Sequence, residues 1–325
     1  MLSPDLTMLQ RIRNLLHTPG RLFRRLVAFE SRLESMQRAL GSIQARLDEQ
    51  SKPSNNLWDH EFRVFSQWGE DGILDYLVRR IPGLDPSFIE FGIEDYQESN
   101  TRYLLQERSW KGLVIDGDPL SVTALKCTAI HARHTLIAAC HFVTRENIND
   151  LFRQHGFTGN LGILSIDVDG MDYWLWEAVN VVQPAIVVIE FNAMFGAEAK
   201  IVVPYKPDFQ RFKAHGSGIY AGASLAALEH LANKKGFALV GTNRAGNNAF
   251  FVENSRLGPL PRLTAVQAFT PPKFREARDH AGRMAFLSNR DSLKLVDSLP
   301  VFDLAAGRER PIRECVQDLE RLEKF

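Results

Sequence analysis

FIEFG at 88–92 and GLVID at 112–116 decide how this chain is read. Each is a short run of apolar, largely β-branched or aromatic residues that ends on an acid or on glycine. Residues 101–110 lie between them and have the length and amphipathic pattern of a helix. Strand, helix and strand in this order predict a right-handed crossover between parallel strands. Working outward, residues 135–139, 161–167 and 185–190 predict a third, fourth and fifth strand. Their continuous apolar character suits strands covered by helices on both faces. Leu225, Leu228 and Leu231 then sit at helical spacing within 224–235, and Gly236 supplies a stop. Residues 237–240 and 249–252 are two more strands, joined by the turn-rich 241–248. A connection that short requires antiparallel pairing. The expectation is an α/β fold whose mostly parallel sheet ends in an antiparallel hairpin.

The composition permits such a core, since 45% of the 325 residues are hydrophobic. Thirty-nine basic residues balance thirty-nine acidic ones, which gives no global footprint for nucleic acid. Cys127, Cys140 and Cys315 are scattered without C-x-x-C spacing, so neither a disulfide framework nor a cysteine metal knuckle is expected. No run approaches eighteen apolar residues, and the start lacks the apolar centre of a secretory signal. A cytoplasmic protein is expected. Arg11, Arg13, Arg21, Arg24 and Arg25 lie among Leu9, Ile12, Leu15, Leu16, Leu22 and Phe23. A basic amphipathic segment of this kind rests on the anionic inner face of a membrane or packs on a partner helix.

Leu22, Leu26, Phe29, Leu33, Met36, Leu40, Ile43 and Leu47 alternate steps of four and three. A mean spacing of 3.5 marks the seam of a left-handed coiled coil. An isolated helix of this length needs a partner for that stripe, either a second copy, giving a homo-oligomer through residues 22–47, or the main domain. The expected organisation is a basic segment and coiled-coil helix over 1–50, a linker over 51–57, the α/β domain over 58–256 and a covering extension over 257–325, with a final helix at 312–322.

The chemical signal lies at the strand ends. Glu90 and Gly92 close the first strand, Asp116 and Asp118 the second. Asp167, Asp169 and Asp172 follow the fourth, and Glu190 and Asn192 the fifth. In an open α/β sheet this edge forms the ligand crevice. Any one of these residues has an ordinary use as a cap or turn residue. Together they would crowd carboxylates around one crevice, which a cation or a donor-rich ligand must offset. Asp116 holds the place from which an acid accepts hydrogen bonds from a ribose. The first loop, Gly92-Ile93-Glu94-Asp95, offers acids where G-x-G-x-x-G would offer glycines, so a pyrophosphate is disfavoured. A nucleoside without phosphates fits better, and S-adenosylmethionine is one.

The motifs FSQWGEDGILDYL (65–77), FIEFGIEDYQESNTRYLL (88–105), GLVIDGDP (112–119), LSIDVDGMDYWLWEA (164–178), VVIEFNAMFG (187–196) and the segment 222–252 carry a resemblance. Over about residues 60–255 the chain resembles the class I S-adenosylmethionine-dependent methyltransferases, near the FkbM-type and sugar O-methyltransferase branches associated with surface glycans. The resemblance implies a Rossmann-like methyltransferase sheet. It implies cofactor contacts from Glu90, Gly92, Glu94, Asn100, Thr101, Asp116 and Asp118, with Cys140 or His141 bordering the adenine. Gly92-Ile93-Glu94 departs from the family's usual G-x-G. It further implies a divalent ion, Mg2+ or Mn2+, at Asp167, Glu190 and Asn192, with Asp169 and Asp172 as alternatives.

Methyl transfer to oxygen needs an aligned acceptor and help in removing its proton. Asp167, His141 and His215 are the candidates for that help; His230, on a helical stretch, is expected to be packed or exposed. The long connection 195–220 reads as an acceptor-side loop. Trp68, Trp174 and Trp176 stack on a ligand or pack the core, and Arg275, Arg278 and Arg283 bind an acidic acceptor or remain solvated. The expected activity is O-methylation of a carbohydrate or glycan intermediate. The alternatives are a metal-dependent nucleotide-sugar transferase and a non-catalytic methyltransferase-like assembly module.

Overall fold

The apolar runs become the strands of a seven-stranded sheet. The structure is a computed structural model that describes residues 25, 28, 29, 31–51, 54–279 and 281–316. Residues 1–24, with most of the basic amphipathic segment, and residues 317–325, with the end of the expected last helix, lie outside the described residues.

The chain divides into two units, Met1–Gln50 and Ser51–Phe325. In the first, residues 31–50 form one helix, α1. Leu33, Met36, Leu40 and Ile43 are 43–62% exposed along it, whereas Gly41 and Ala45 on another face are buried. The heptad spacing therefore yields a helix with an exposed seam, and the expected coiled coil is not formed among the described residues of this single chain.

In the second unit α2 (Glu70–Arg80) leads to β1 (Ser87–Phe91), α3 (Arg102–Glu107), β2 (Lys111–Asp116), α4 (Pro119–Lys126), α5 (Ala129–Arg133) and β3 (Leu136–Cys140). Next come α6 (Ile148–Gln154), β4 (Gly159–Ile166), α7 (Asp172–Ala178) and β5 (Val182–Glu190). The later part contains β6 (Ile201–Val202), α8 (Arg211–Ala214), α9 (Leu225–Lys235), β7 (Phe237–Thr242) and β8 (Asn248–Glu253). The tail adds α10 (Ala265–Ala268), α11 (Asn289–Lys294), β9 (Pro300–Asp303), β10 (Arg308–Pro311) and α12 (Ile312–Cys315).

The sheet order is β3-β2-β1-β4-β5-β8-β7. β1 pairs in parallel with both β2 and β4, and β4 with β5. The chain thus switches direction across the sheet beside β1, where an open α/β sheet leaves its crevice. β8 runs antiparallel to both β5 and β7 and is inserted between them. This is a mostly parallel, Rossmann-like sheet closed by a hairpin; it is the hairpin's second arm that joins the parallel strands.

Local chemistry explains the elements. β4 and β5 are continuous in Val, Ile and Leu and are buried along nearly their whole length. α9 starts at Ser224, whose side chain caps Ala227 N–H, and stops at Gly236 in the left-handed conformation at φ 84°. Trp176 packs against Phe237 and Phe251 with ring centroids 5.8 and 5.0 Å away. Trp174 donates its Nε1–H to Val203 O at 2.9 Å. Trp176 is thus core and Trp174 a strut to the following segment, and neither offers a free stacking face. The tail does more than cover: β10 and β9 join β6 in a three-stranded sheet. Phe195, Ile201, Val203, Phe209 and Ile219 share a second core with Val296, Val301 and Ile312.

Candidate active site

One cleft of about 950 Å³ opens at the carboxyl edge of the sheet. Glu90, Gly92, Glu94, Asn100, Asp116, Asp118, His141, Asp167, Asp169 and Glu190, all picked out by sequence, line it.

Its first wall is set by Glu90. Glu90 Oε1 accepts from Asn100 N–H at 2.8 Å. Oε2 accepts from the hydroxyls of Ser99 at 2.6 Å and Thr101 at 2.5 Å. Burial pushes the Glu90 carboxyl upward in pKa, and these hydrogen bonds oppose the rise. Glu90 therefore fixes the 99–101 loop against β1. Thr101 is buried, spends its hydroxyl and N–H on Glu90 and does not line the cleft, which corrects its expected contact with a cofactor. Asn100 lines the cleft and donates Nδ2–H to Ser165 Oγ at 3.1 Å. Gly92 stands at φ 69°, and a Cβ there would come within 1.6 Å of Asp167 O. Only glycine permits that crossing of the chain after β1 with the chain after β4.

Asp116 ties the next two loops together. Its Oδ2 accepts from Glu94 N–H at 2.9 Å and its Oδ1 from Asp118 N–H at 2.8 Å. Each carboxylate oxygen keeps a lone pair for a further donor. Asp118 behaves differently: it caps α4 by accepting from Leu120 N–H and Ser121 N–H, each at 3.1 Å. The Ser121 hydroxyl is the first cause that holds the Asp118 carboxyl below its usual pKa. Its side chain thus caps the helix while the residue also lines the cleft. Cys140 is exposed at the end of β3 and is not among the lining residues, whereas His141 is.

On the other side of β1, one ligand oxygen from each of Asp167, Asp169 and Glu190 can be chosen so that all lie within 4.8 Å of one another. Burial first, then the Asp172 and Asp169 carboxylates, push the Asp167 pKa well up, with Arg211 opposing. Burial and then Asp167 do the same to Glu190. Asp172 accepts from Val168 N–H at 2.9 Å and Gly170 N–H at 3.0 Å, so it shapes the turn that carries Asp169. Asn192 is spoken for as well. Its Nδ2 donates to Ile219 O and Ala221 O at 2.9 Å each, and its Oδ1 accepts from Met194 N–H at 3.0 Å. That removes it from the expected ligand set. His215 closes α8, lies 2.7 Å from Ser217 Oγ through Nδ1, and is not a lining residue. Its expected role as a base is corrected accordingly. Arg283 pairs with Asp279 at 2.8 Å, and Arg275 lies over the Phe286 ring at 6.0 Å. Arg275, Arg278 and Arg283 are all outside the cleft lining.

Three lining residues went unseen in the sequence. Arg211, only 14% exposed, donates Nη1–H to Asp169 Oδ1 at 3.0 Å, pairs through Nη2 with Glu276 and donates Nε–H to Gly218 O. Glu276 comes from the tail. Asn248, 4% exposed, is the register partner of Glu190 across β5 and β8. Glu70 Oε1 accepts from Asn248 Nδ2 at 3.0 Å and from Asn243 Nδ2 at 2.6 Å, which fixes the amide with its NH2 toward Glu70. Asn248 Oδ1 is left buried with no hydrogen-bond partner among the described residues. The three clustered carboxylates, with Asn248 paired to Glu190 in the neighbouring strand and its carbonyl oxygen orphaned, offer an all-oxygen donor set of the kind that suits a hard divalent cation. The lining also includes aromatic residues: Phe142, beside Gly117 after β2, and Tyr205, Phe209 and Phe212 from the segment after β6.

No family model matches the chain, and no curated protein matches it. Among solved structures it is similar to the pyocyanin biosynthetic protein PhzM, at 11% identity and a TM-score of 0.33 over 55% of this chain and 54% of that one. The chain thus spans about half the length of that protein. It is also similar to the N-terminal domain of EvdMO1 with SAH bound, at 14% identity and a TM-score of 0.37 over 65% and 94% of the two chains. An O-methyltransferase from Bacillus cereus in complex with SAH gives 10% identity and a TM-score of 0.37 over 67% and 89%.

Proposed function

We propose that the chain transfers a methyl group from S-adenosylmethionine to a hydroxyl of a carbohydrate or glycan intermediate, with Mg2+ or Mn2+ in the same cleft. The observation that carries this reading is the shared cleft: Asp116 at the end of β2 and Asp167 and Glu190 at the ends of β4 and β5 line one cavity. Its volume lies within the roughly 300–1,000 Å³ of small-molecule sites.

S-adenosylmethionine, when bound, supplies the electrophilic methyl group. Asp116 is the acceptor for the ribose hydroxyls, held in place by the two backbone N–H groups it already binds. Glu94 and Glu98 leave the first loop acidic, which suits an ammonium and a sulfonium and repels phosphates. Asp167, Asp169, Glu190 and Asn248 Oδ1 would hold the divalent ion, whose chemistry is to make an acceptor hydroxyl more acidic. The exposed ring of Phe212 gives a sugar's apolar face a surface to pack on, and carboxylates of the same cleft accept from its hydroxyls. The exposed seam of α1 supports self-association of the chain.

The reading is tested by thermal unfolding with S-adenosylhomocysteine. Wild type is expected to be stabilised by linkage, and Asp116→Ala to lose most of that stabilisation. Stabilisation by a nucleotide sugar, with none by S-adenosylmethionine or S-adenosylhomocysteine, would move the protein to sugar transfer.

A further inference from the structure

Four carboxylates, those of Asp167, Asp169, Glu190 and Glu276, converge on one guanidinium. Arg211 makes direct ion pairs with only two of them, Asp169 and Glu276. The side-chain carboxylates of Asp167 and Glu190 make no hydrogen bond or direct ion pair among the described residues, although both lie in the field of Arg211. The cluster therefore keeps an excess of negative charge with Arg211 in place, and Asn248, whose Oδ1 is buried and unpartnered among the described residues, is one of the residues lining the same cleft. Arg211 also joins three separate pieces of chain. Asp169 belongs to the turn after β4, Glu276 to the tail, and Gly218 to the end of the acceptor-side segment. A second link, Arg278 N–H to Ser217 O at 3.0 Å, holds that segment to the tail without Arg211.

We infer that Arg211 is an exchangeable counter-ion of the cation site: it competes with the divalent ion for Asp169, and entry of the ion loosens the part of segment 204–218 that Arg211 ties down, while Phe209 stays packed in the second core. This rests on reading Asp167, Asp169 and Glu190 as that site. A guanidinium and a dication close to the same carboxylates repel each other, so each weakens the other's hold. Arg211 thereby sets how tightly the ion binds and couples its arrival to the wall that faces the acceptor. The link through Ser217 keeps the loosened segment attached to the tail.

The experiment titrates Mn2+ into the full chain by calorimetry and follows hydrogen exchange of residues 204–218. Wild type, Arg211→Met, Arg211→Lys and Asp167→Asn are compared, with folding checked by circular dichroism. Arg211→Met is expected to bind Mn2+ roughly tenfold more tightly than wild type, because the resident positive charge is gone. In wild type, Mn2+ is expected to speed exchange over 204–218; in Arg211→Met exchange is already fast and Mn2+ leaves it unchanged. Should Arg211→Met fail to fold, Arg211→Lys decides: it keeps the charge but loses the fork, and its 204–218 exchange should be faster than wild type before Mn2+ is added. Equal or weaker Mn2+ binding by Arg211→Met, or unchanged exchange in wild type on adding Mn2+, overturns the competition while leaving the cation site standing. Absence of Mn2+ binding in both wild type and Arg211→Met overturns the site and the competition together. Binding retained by Asp167→Asn at wild-type affinity moves the ion elsewhere and overturns them equally.

Discussion

Single carboxylates in this chain divide by what their oxygens already hold. Glu90, Asp116, Asp118 and Asp172 accept from neighbouring donors, Glu90 and Asp118 from a hydroxyl as well, whereas no side-chain hydrogen bond to the Asp167 carboxylate is formed among the described residues. Sequence placed all five at strand ends without separating these roles, because a cap and a ligand contact look alike until the donors are located. Asn192 and His215 were misjudged for the same reason. Asp71 shows the cost of such burial. Its Oδ2 accepts from Val64, Phe65 and Ser66 N–H at 2.7, 2.7 and 2.8 Å, and its Oδ1 has no partner among the described residues. Burial nevertheless dominates and raises its pKa from 3.8 to about 6. Between those values the folded protein keeps a proton that the unfolded chain has released, so stability falls as pH rises. Asp71→Asn has no such proton to lose. Urea unfolding at several pH values should show its slope less negative than wild type by up to about 1.4 kcal/mol per pH unit in that window. An unchanged slope would show that Asp71 does not titrate there.

Elements were legible where one pattern dominated. β4 and β5 are continuous apolar runs, and Ser224 and Gly236 bracket α9. Missed were β6, β9 and β10, strands of two to four residues. Arg308, Glu309 and Arg310 make β10 read as solvated tail, and only pairing with β9 gives it strand form. α1 is the converse case: its period was plain, yet its seam lies exposed in the single chain. Deleting residues 1–50 is expected to reduce the mass measured by light scattering to that of a monomer, and Leu40→Asp to weaken association in the same direction. A deletion product with the original oligomeric mass would place the interface in the second unit. Gly236 offers a smaller check on element ends. Gly236→Ala should lower stability by about 1 kcal/mol, since a Cβ is disfavoured at its left-handed φ.

At the scale of the molecule the cleft follows from sheet order, so sequence could locate it but not furnish it. Arg211, Asn248 and Glu276 arrive from the acceptor-side segment, the closing hairpin and the tail, and no spacing in the chain announces that they meet. The FSQWGED motif finds its meaning only here, since Glu70 accepts from the side-chain amides of Asn243 and Asn248 in the closing hairpin. The cation site has a direct check. Elemental analysis and Mn2+ calorimetry on Asp167→Ala should show both stoichiometry and affinity reduced; wild-type values would exclude Asp167 as a required ligand.

The crossing at Gly92 has an evolutionary consequence. Its Cα passes so near the Asp167 carbonyl that the two halves of the cleft are separated by the thickness of one backbone. A lineage exploring new donors by enlarging residue 92 would dislodge the acid on the far side at the same stroke. Variation in the ligand this cleft takes is thus expected to accumulate where Phe142 and Phe212 stand exposed, and to leave this crossing untouched.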